Sequence, residues 1–309
     1  MTLAPSGLPY PRVVVALQAM ATRFALSLWD DIDEARLRAA GEAALLEVAR
    51  WEERLSRFRP GSEISQINRN AGRGAVRVSP PVFELLEQCR ELHRATRGAF
   101  DPTVGPLMRA YGFRGGDAPV GEDALLSARG LLGMDRVELH RARRTVGLPV
   151  VGMELDLGAI GKGAAVDAAV AVLRECGIES ALLDGGTSSV HVVGSAPDGA
   201  PWRIGWRVPR ETAPRIFELT PARPALAVSA SHGRSVAGGA VGHVLDPVLG
   251  GPADAGRTAL VSGPTSALCD ALATGLLVLG PARGRAMLSR LPGYVGFVAP
   301  DAGVTDSGS

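Results

Sequence analysis

Three short stretches carry residue types suited to chemistry. In DLGAIGKGAAVD, Asp156 to Asp167, Lys162 is the only lysine of a 309-residue chain whose other basic side chains are all arginine. A glycine-bracketed lysine at a helix start can present a compact positive charge to a phosphate, with backbone N–H groups adding donors. The P-loop spacing is missing, and no Ser or Thr follows the lysine. In CDALATG, Asp270 and Thr274 are four residues apart, so on a helix they share a face and could offer oxygen ligands to a hard cation. In GHVLDP, His243 and Asp246 lie within reach across a bend closed by Pro247, where a carboxylate can orient an imidazole as general base. Each stretch also has a plain alternative: a surface lysine on an ordinary turn, an Asp capping its helix with Thr against packed core, and a hydrogen-bonded turn histidine.

Hydrophobic periodicity supplies the elements that must position these residues. VVVALQAMATRFALSLW reads as a strand pair or one bent strand. From Ile32 to Phe58, Leu37, Ala40, Ala44, Leu45, Val48 and Leu55 recur at helical spacing. Pro60-Gly61 predicts a turn and Ser62 the cap of a short helix. Ser79-Pro80 opens a helix that ends near Gly98, and GAFDPTVGPLMRAYGF reads as a Gly/Pro-punctuated loop. VELHRARRTVGL and MELDLG are expected as strands. Gly163 to Cys176 is expected as a helix closed by Gly177, then a strand at ALLDGG, an order that suggests a mixed α/β unit. SVHVVG, WRIGWRVPR, ALAVSASHGRS and GHVLDPVLGG follow as an antiparallel meander. PTSALCDALATGLLVLG is a buried helix and YVGFVAP a closing strand. Met20, Phe58 and Phe100 read most simply as core.

Composition narrows the function class. A net charge of +1 with 21% charged residues gives no electrostatic case for nucleic acid. Cys89, Cys176 and Cys269 are far apart and read as small buried hydrophobes in a reducing compartment. No run approaches the ~20 apolar residues of a membrane span. The opening MTLAPSGLPYPRVVV lacks a cationic start before an apolar run, and no early cysteine invites a lipid. The expectation is a cytoplasmic protein without a membrane span. The chain is expected to fold as one unit or two intimate subdomains, with flexible termini at 1–10 and 301–309.

Order makes these modest signals specific. An Ala-Thr segment after the first strand is followed by SRFRPGSEISQIN, GAFDPTVGPL, DLGAIGKGAAVD, LDGG, HVLDPVLGGP and DALAT. From about Met20 to Pro300 the series resembles the ApbE family, the FAD:protein FMN transferases. The resemblance implies an α+β fold of mixed, largely antiparallel sheets with packed helices. It implies Mg²⁺-dependent cleavage of the FAD pyrophosphate, transfer of FMN to a Thr or Ser hydroxyl of an acceptor flavoprotein, and release of AMP. The alternatives are hydrolysis of FAD to FMN and AMP, or FAD binding without turnover. By the same resemblance, Met20, Phe58, Ala99, Phe100, Asp101 and Lys162 contact FAD. The Ala159 carbonyl, Asp270 and Thr274 hold the metal, and His243 is the base; Asp246 is assigned to orient His243. Where many relatives have a Ser-Gly-Asp-Tyr-type stretch, this chain reads SASH from Ser229 to His232, which leaves transfer and hydrolysis both open.

Overall fold

The computed structural model describes residues 9–113, 121–186, 188–206, 215–231, 235–236, 241–253 and 256–300. The chain opens with a hairpin, β1 (Val13–Ala19) and β2 (Thr22–Leu28), and then α1 (Glu34–Leu55) and α2 (Glu63–Arg69). Strand β3 (Val76–Arg77), α3 (Pro80–Ala95), α4 (Gly105–Ala110), α5 (Glu122–Arg129), β4 (Glu138–His140) and β5 (Thr145–Gly147) form the middle of the chain. After α6 (Gly161–Glu175) come β6 (Ala181–Asp184), β7 (Ser189–Val193), β8 (Trp202–Trp206), β9 (Arg215–Leu219) and β10 (Ala225–Ala230). Four two-residue strands follow: β11 (Ser235–Val236), β12 (Val241–Gly242), β13 (Leu245–Asp246) and β14 (Gly251–Pro252). The final elements are β15 (Arg257–Gly263), α7 (Ser266–Leu288) and β16 (Val295–Pro300).

Seven strands build the main sheet in the order β1-β2-β6-β7-β10-β15-β16, and every neighbouring pair is antiparallel. Both faces of its centre are covered, which is why all of β7 is buried. Ala225 and Ala227 of β10 join the core under α1, α6 and α7. Leu226 joins Val190, Val192 and Leu260 on the other face, beneath Trp202, Ile204 and Trp206. The two-residue alternation of a strand produces that division. The six helical-spacing residues of α1 are all buried, as their period predicts.

Several expectations change. The main sheet holds no parallel βαβ unit: β5, the strand before α6, belongs to a separate three-stranded sheet, and β6, which follows α6, pairs antiparallel with β2 and β7. MELDLG is not a strand among the described residues: the Asn68 side chain pairs with both the N–H and the carbonyl of Leu155, taking the place of a strand partner. The end of the GAFDPTVGPLMRAYGF segment is helical as α4, with Pro106 in its first turn where a missing N–H costs nothing. WRIGW, the described part of WRIGWRVPR, leaves the main sheet, since β8 pairs with β9 as a covering hairpin. Helix α7 breaks at Gly280, whose φ of 72° and the following Pro281 end the regular turn near where the sequence predicts it. Cys89 and Cys269 are buried and Cys176 is only half-buried. The expected flexible termini, apart from Pro9 and Tyr10, lie outside the described residues. Among the described residues no helix is long and apolar enough to cross a membrane.

Candidate active site

A cavity of about 910 Å³ opens where the β1–β2 turn, the end of α1, the 99–108 segment, the start of α6, the end of β10, the 243–247 bend and α7 converge. Met20, Phe58, Ala99, Phe100, Asp101, Ala159, Lys162, His243, Asp270 and Thr274 all line it. Residues spread over more than 250 positions of sequence are thus brought to one space. Asp246 does not line it, although its neighbours Leu245 and Pro247 do.

The floor is built by two helix starts that cross. Asp270, on α7 and 5% exposed, accepts the Gly163 N–H of α6 at 2.8 Å and the Ser189 hydroxyl at 2.7 Å. Asp167, on α6, accepts the Ser266 and Ala267 N–H groups of α7 at 2.7 and 2.9 Å. Each helix therefore supplies the carboxylate that caps the other, offsetting two positive helix ends brought together. His191, 2% exposed, extends the junction: its Nδ1 lies 2.7 Å from the Ser266 hydroxyl. Gly163 is required by the close approach, because a Cβ there would sit 2.3 Å from the Ser266 carbonyl oxygen.

This junction corrects the simplest phosphate-cradle expectation for GAIGKG. The Gly161 N–H bonds the Leu157 carbonyl at 2.8 Å, and the Gly163 N–H is held by Asp270, so two donors of the α6 start are already engaged. The half-buried Lys162 lines the cavity and forms no salt bridge among the described residues. Burial raises the Asp270 carboxyl above the usual carboxylate range, and the Lys162 ammonium is the largest influence opposing that rise. Thr274 donates toward the Asp270 carbonyl at 3.3 Å, and its Oγ1 lies 3.0 Å from the Ser229 hydroxyl.

The other walls sort the remaining residues. Phe100 is buried, as the core reading has it, whereas Phe58 is 73% exposed with the Arg57 guanidinium 4.6 Å from its ring centre. Arg57 also pairs with Asp156 beside the cavity. Asp101 is buried, and its Oδ1 accepts both the N–H and the hydroxyl of Thr103, at 2.8 and 2.6 Å. His93 approaches its other oxygen at 3.4 Å. Burial pushes this carboxyl up, partly offset by Thr103 and His93. Asp101 thus shapes its own loop at the cavity wall.

Asp246 also serves a turn. Its Oδ1 accepts the N–H groups of Val248 and Leu249 at 2.8 and 3.0 Å, and a hydrogen bond to His243 is not among its described contacts. These bonds fix the bend that follows His243. His232, the odd residue of SASH, lies outside the described residues. Glu52, Asp167, Ser189 and Ser229 are site residues that spacing did not single out for a role. Their partners lie on other elements, so no local pattern marks them.

For a divalent cation, the candidate donors around the α6 and α7 starts are oxygens: the Asp270 carboxylate, whose two oxygens each accept one hydrogen bond already, the Thr274 and Ser229 hydroxyls and the Ala159 carbonyl. That chemistry suits a hard ion such as Mg²⁺, and the buried carboxylate suits a counter-charge. Among the described residues no three His, Cys, Asp or Glu side chains converge as a metal cluster. A cation here would rely on one carboxylate and neutral oxygens.

The chain is similar to known proteins in both sequence and fold. The family model described as "ApbE family" matches residues 20–298. The FAD:protein FMN transferase of Treponema pallidum (strain Nichols) is 31% identical over 300 residues, covering 88% of this chain and 80% of that protein. Its counterpart from Vibrio cholerae is 29% identical over 243 residues, covering 76% and 72%. The crystal structure of the ApbE protein from Thermotoga maritima superposes with a TM-score of 0.83 at 25% identity, covering 94% of this chain and 95% of that one. The flavin transferase ApbE from Vibrio cholerae gives 0.78 at 25% identity, covering 93% and 96%.

Proposed function

Since the chain belongs to the ApbE family, we propose that it is an FAD:protein FMN transferase working in the cavity above the crossed α6 and α7 starts. The observation that carries this reading is the junction itself. It sets the chain's only lysine, a buried carboxylate and two hydroxyls around one space, where a pyrophosphate and its counter-ion could be held together.

The acceptor is a Thr or Ser hydroxyl of a flavoprotein. Its oxygen forms a bond to the FMN-side phosphorus while the bond from that phosphorus to the bridging oxygen breaks, releasing AMP. His243 takes the hydroxyl proton, because an alcohol is a poor nucleophile until a base within hydrogen-bond reach relieves it of that proton. Lys162 offsets the charge that gathers on the phosphates. Met20, Ala99 and Phe100 give the flavin an apolar wall, and Phe58 with Arg57 forms its rim. Asp270, Thr274 and the Ala159 carbonyl would hold Mg²⁺, which supplies charge neutralisation to the pyrophosphate when bound. Asp246 sets the bend next to His243, and Asp167 keeps the Asp270 junction closed from the α7 side.

Incubation of the purified protein with FAD and Mg²⁺, with and without an acceptor flavoprotein, tests the reading. AMP release that depends on acceptor is the expected result. Release without acceptor identifies hydrolysis, and FAD binding with no release leaves a flavin carrier. His243→Ala is expected to abolish AMP release while FAD still binds; unchanged turnover removes His243 from the mechanism.

A further inference from the structure

The hairpin that carries Met20 is bent in a way its residues do not favour. Ala19 pairs with Thr22 across the ladder, which leaves Met20 and Ala21 as a two-residue turn. Both have positive φ, 50° and 58°. Such a turn normally takes Asn-Gly, because a side chain in the left-handed region crowds the following carbonyl. Both residues face the cavity.

A contact from outside the hairpin holds this turn. The Met20 N–H donates to Glu52 Oε1 at 2.8 Å, from the end of α1. The second oxygen, Oε2, accepts from Arg59 Nη2 at 3.4 Å, one residue beyond Phe58. Ser56 secures that same segment, its hydroxyl accepting the N–H groups of Phe58 and Arg59 at 3.3 Å each. Glu52 therefore spans two edges of one cavity, and its Oε1 is committed to a backbone donor.

We propose that Glu52 is a positioning residue for flavin binding, clamping the strained Met20–Ala21 turn and tying it to the Phe58–Arg59 rim. The proposal rests on the FAD-binding reading above. A strained turn that loses such a contact relaxes, and the cavity edge moves with it. Ala21 offers the means to separate this role from others. Glycine adopts positive φ without the steric penalty, so Ala21→Gly removes much of the need for the clamp.

The test measures FAD affinity by flavin fluorescence, with AMP release alongside, in wild type, Glu52→Gln, Glu52→Ala, Ala21→Gly and the Glu52→Ala/Ala21→Gly double variant. Glu52→Ala is expected to weaken FAD binding roughly 10- to 100-fold, the range for losing a hydrogen bond to a charged group. Glu52→Gln keeps an acceptor for the Met20 N–H and should stay within a few-fold of wild type. In the Ala21→Gly background, Glu52→Ala should lose far less affinity than in the parent, a coupling that a general packing role does not produce. That background also serves if Glu52→Ala alone fails to fold. Equal affinity of wild type and Glu52→Ala overturns the proposal, and so does a full loss in the glycine background. Wild type that binds no FAD overturns the functional reading and the proposal with it; wild type that binds normally beside an unaffected Glu52→Ala sinks the proposal alone.

Discussion

Replacing Gly163 by alanine tests the helix crossing on which the site rests. The added Cβ would lie 2.3 Å from the Ser266 carbonyl oxygen, 2.4 Å from its carbon and 2.6 Å from Ala267 Cα. These are backbone atoms in the first turn of α7, which cannot swing aside as a side chain can. Restoring ordinary carbon contact requires the helices to separate by about 1 Å. The Gly163–Asp270 bond, 2.8 Å long, would then stretch beyond useful hydrogen-bond range. Overpacking costs about 1–3 kcal/mol. A buried carboxylate losing a donor adds about 1.5–3 kcal/mol. Together these reach about 2.5–6 kcal/mol, a large share of the ~5–15 kcal/mol that stabilises a typical domain. Urea unfolding should show a lower midpoint with an unchanged slope. AMP release from FAD, measured where the variant remains folded, should fall by about 100-fold, since a displacement near 1 Å in catalytic geometry costs that much. Gly161→Ala is the control: its Cβ would meet the tip of the Leu55 side chain at 3.0 Å, which can turn away, and Leu157 Cβ at an ordinary 4.0 Å. It should cost below about 1.5 kcal/mol. Wild-type stability and turnover in Gly163→Ala would refute the crossing as the basis of the site.

Asp270→Asn keeps an acceptor for the Gly163 N–H and can turn its amide toward Ser189, so unfolding midpoints should stay near wild type while Mg²⁺-supported AMP release falls by about 100-fold or more. Retained turnover would make Asp270 a helix cap only. Lys162→Arg should impair FAD binding or cleavage although charge is conserved, because a planar fork replaces a compact ammonium between two helix-packing glycines; wild-type kinetics would make the lone lysine an accident of composition. Asp184 is pushed up from 3.8 to about 6, first by burial, with the Gly186 N–H and Arg23 partly offsetting it. The folded state thus favours its protonated form, and the associated stability, full below pH 3.8, is lost as pH rises through about 6. Between pH 5 and 8, Asp184→Asn should lose less stability than wild type in parallel denaturant titrations; identical losses would reject burial as the cause.

Sequence patterning had clear reach here. The period of Leu37, Ala40, Ala44, Leu45, Val48 and Leu55 identified the buried face of α1, because a single helix must turn one stripe toward whatever core exists. Ser62 accepts the Ser65 N–H, as a residue capping its own helix can be read to do. Ten of the eleven residues singled out from sequence line one cavity, since the ordered motifs correspond to the segments that surround it. MELDLG misled because alternation reports two-faced burial and says nothing of whether a strand or the Asn68 amide satisfies the backbone.

By itself the sequence determined most of the element types, the inward face of α1 and the family resemblance, since these depend on residues a few positions apart or on motifs in order. Only the tertiary structure decided the partners. Asp270 meets Gly163 across 107 residues, Asp167 meets Ser266 across 99, and Glu52 reaches Met20 across 32. The plain alternative for Asp270, a helix cap, takes a form no local pattern shows, because the cap it makes belongs to the other helix. Periodicity states which way a side chain faces, whereas a hydrogen bond requires two specific atoms within about 3 Å, and only the packing of remote elements sets that distance.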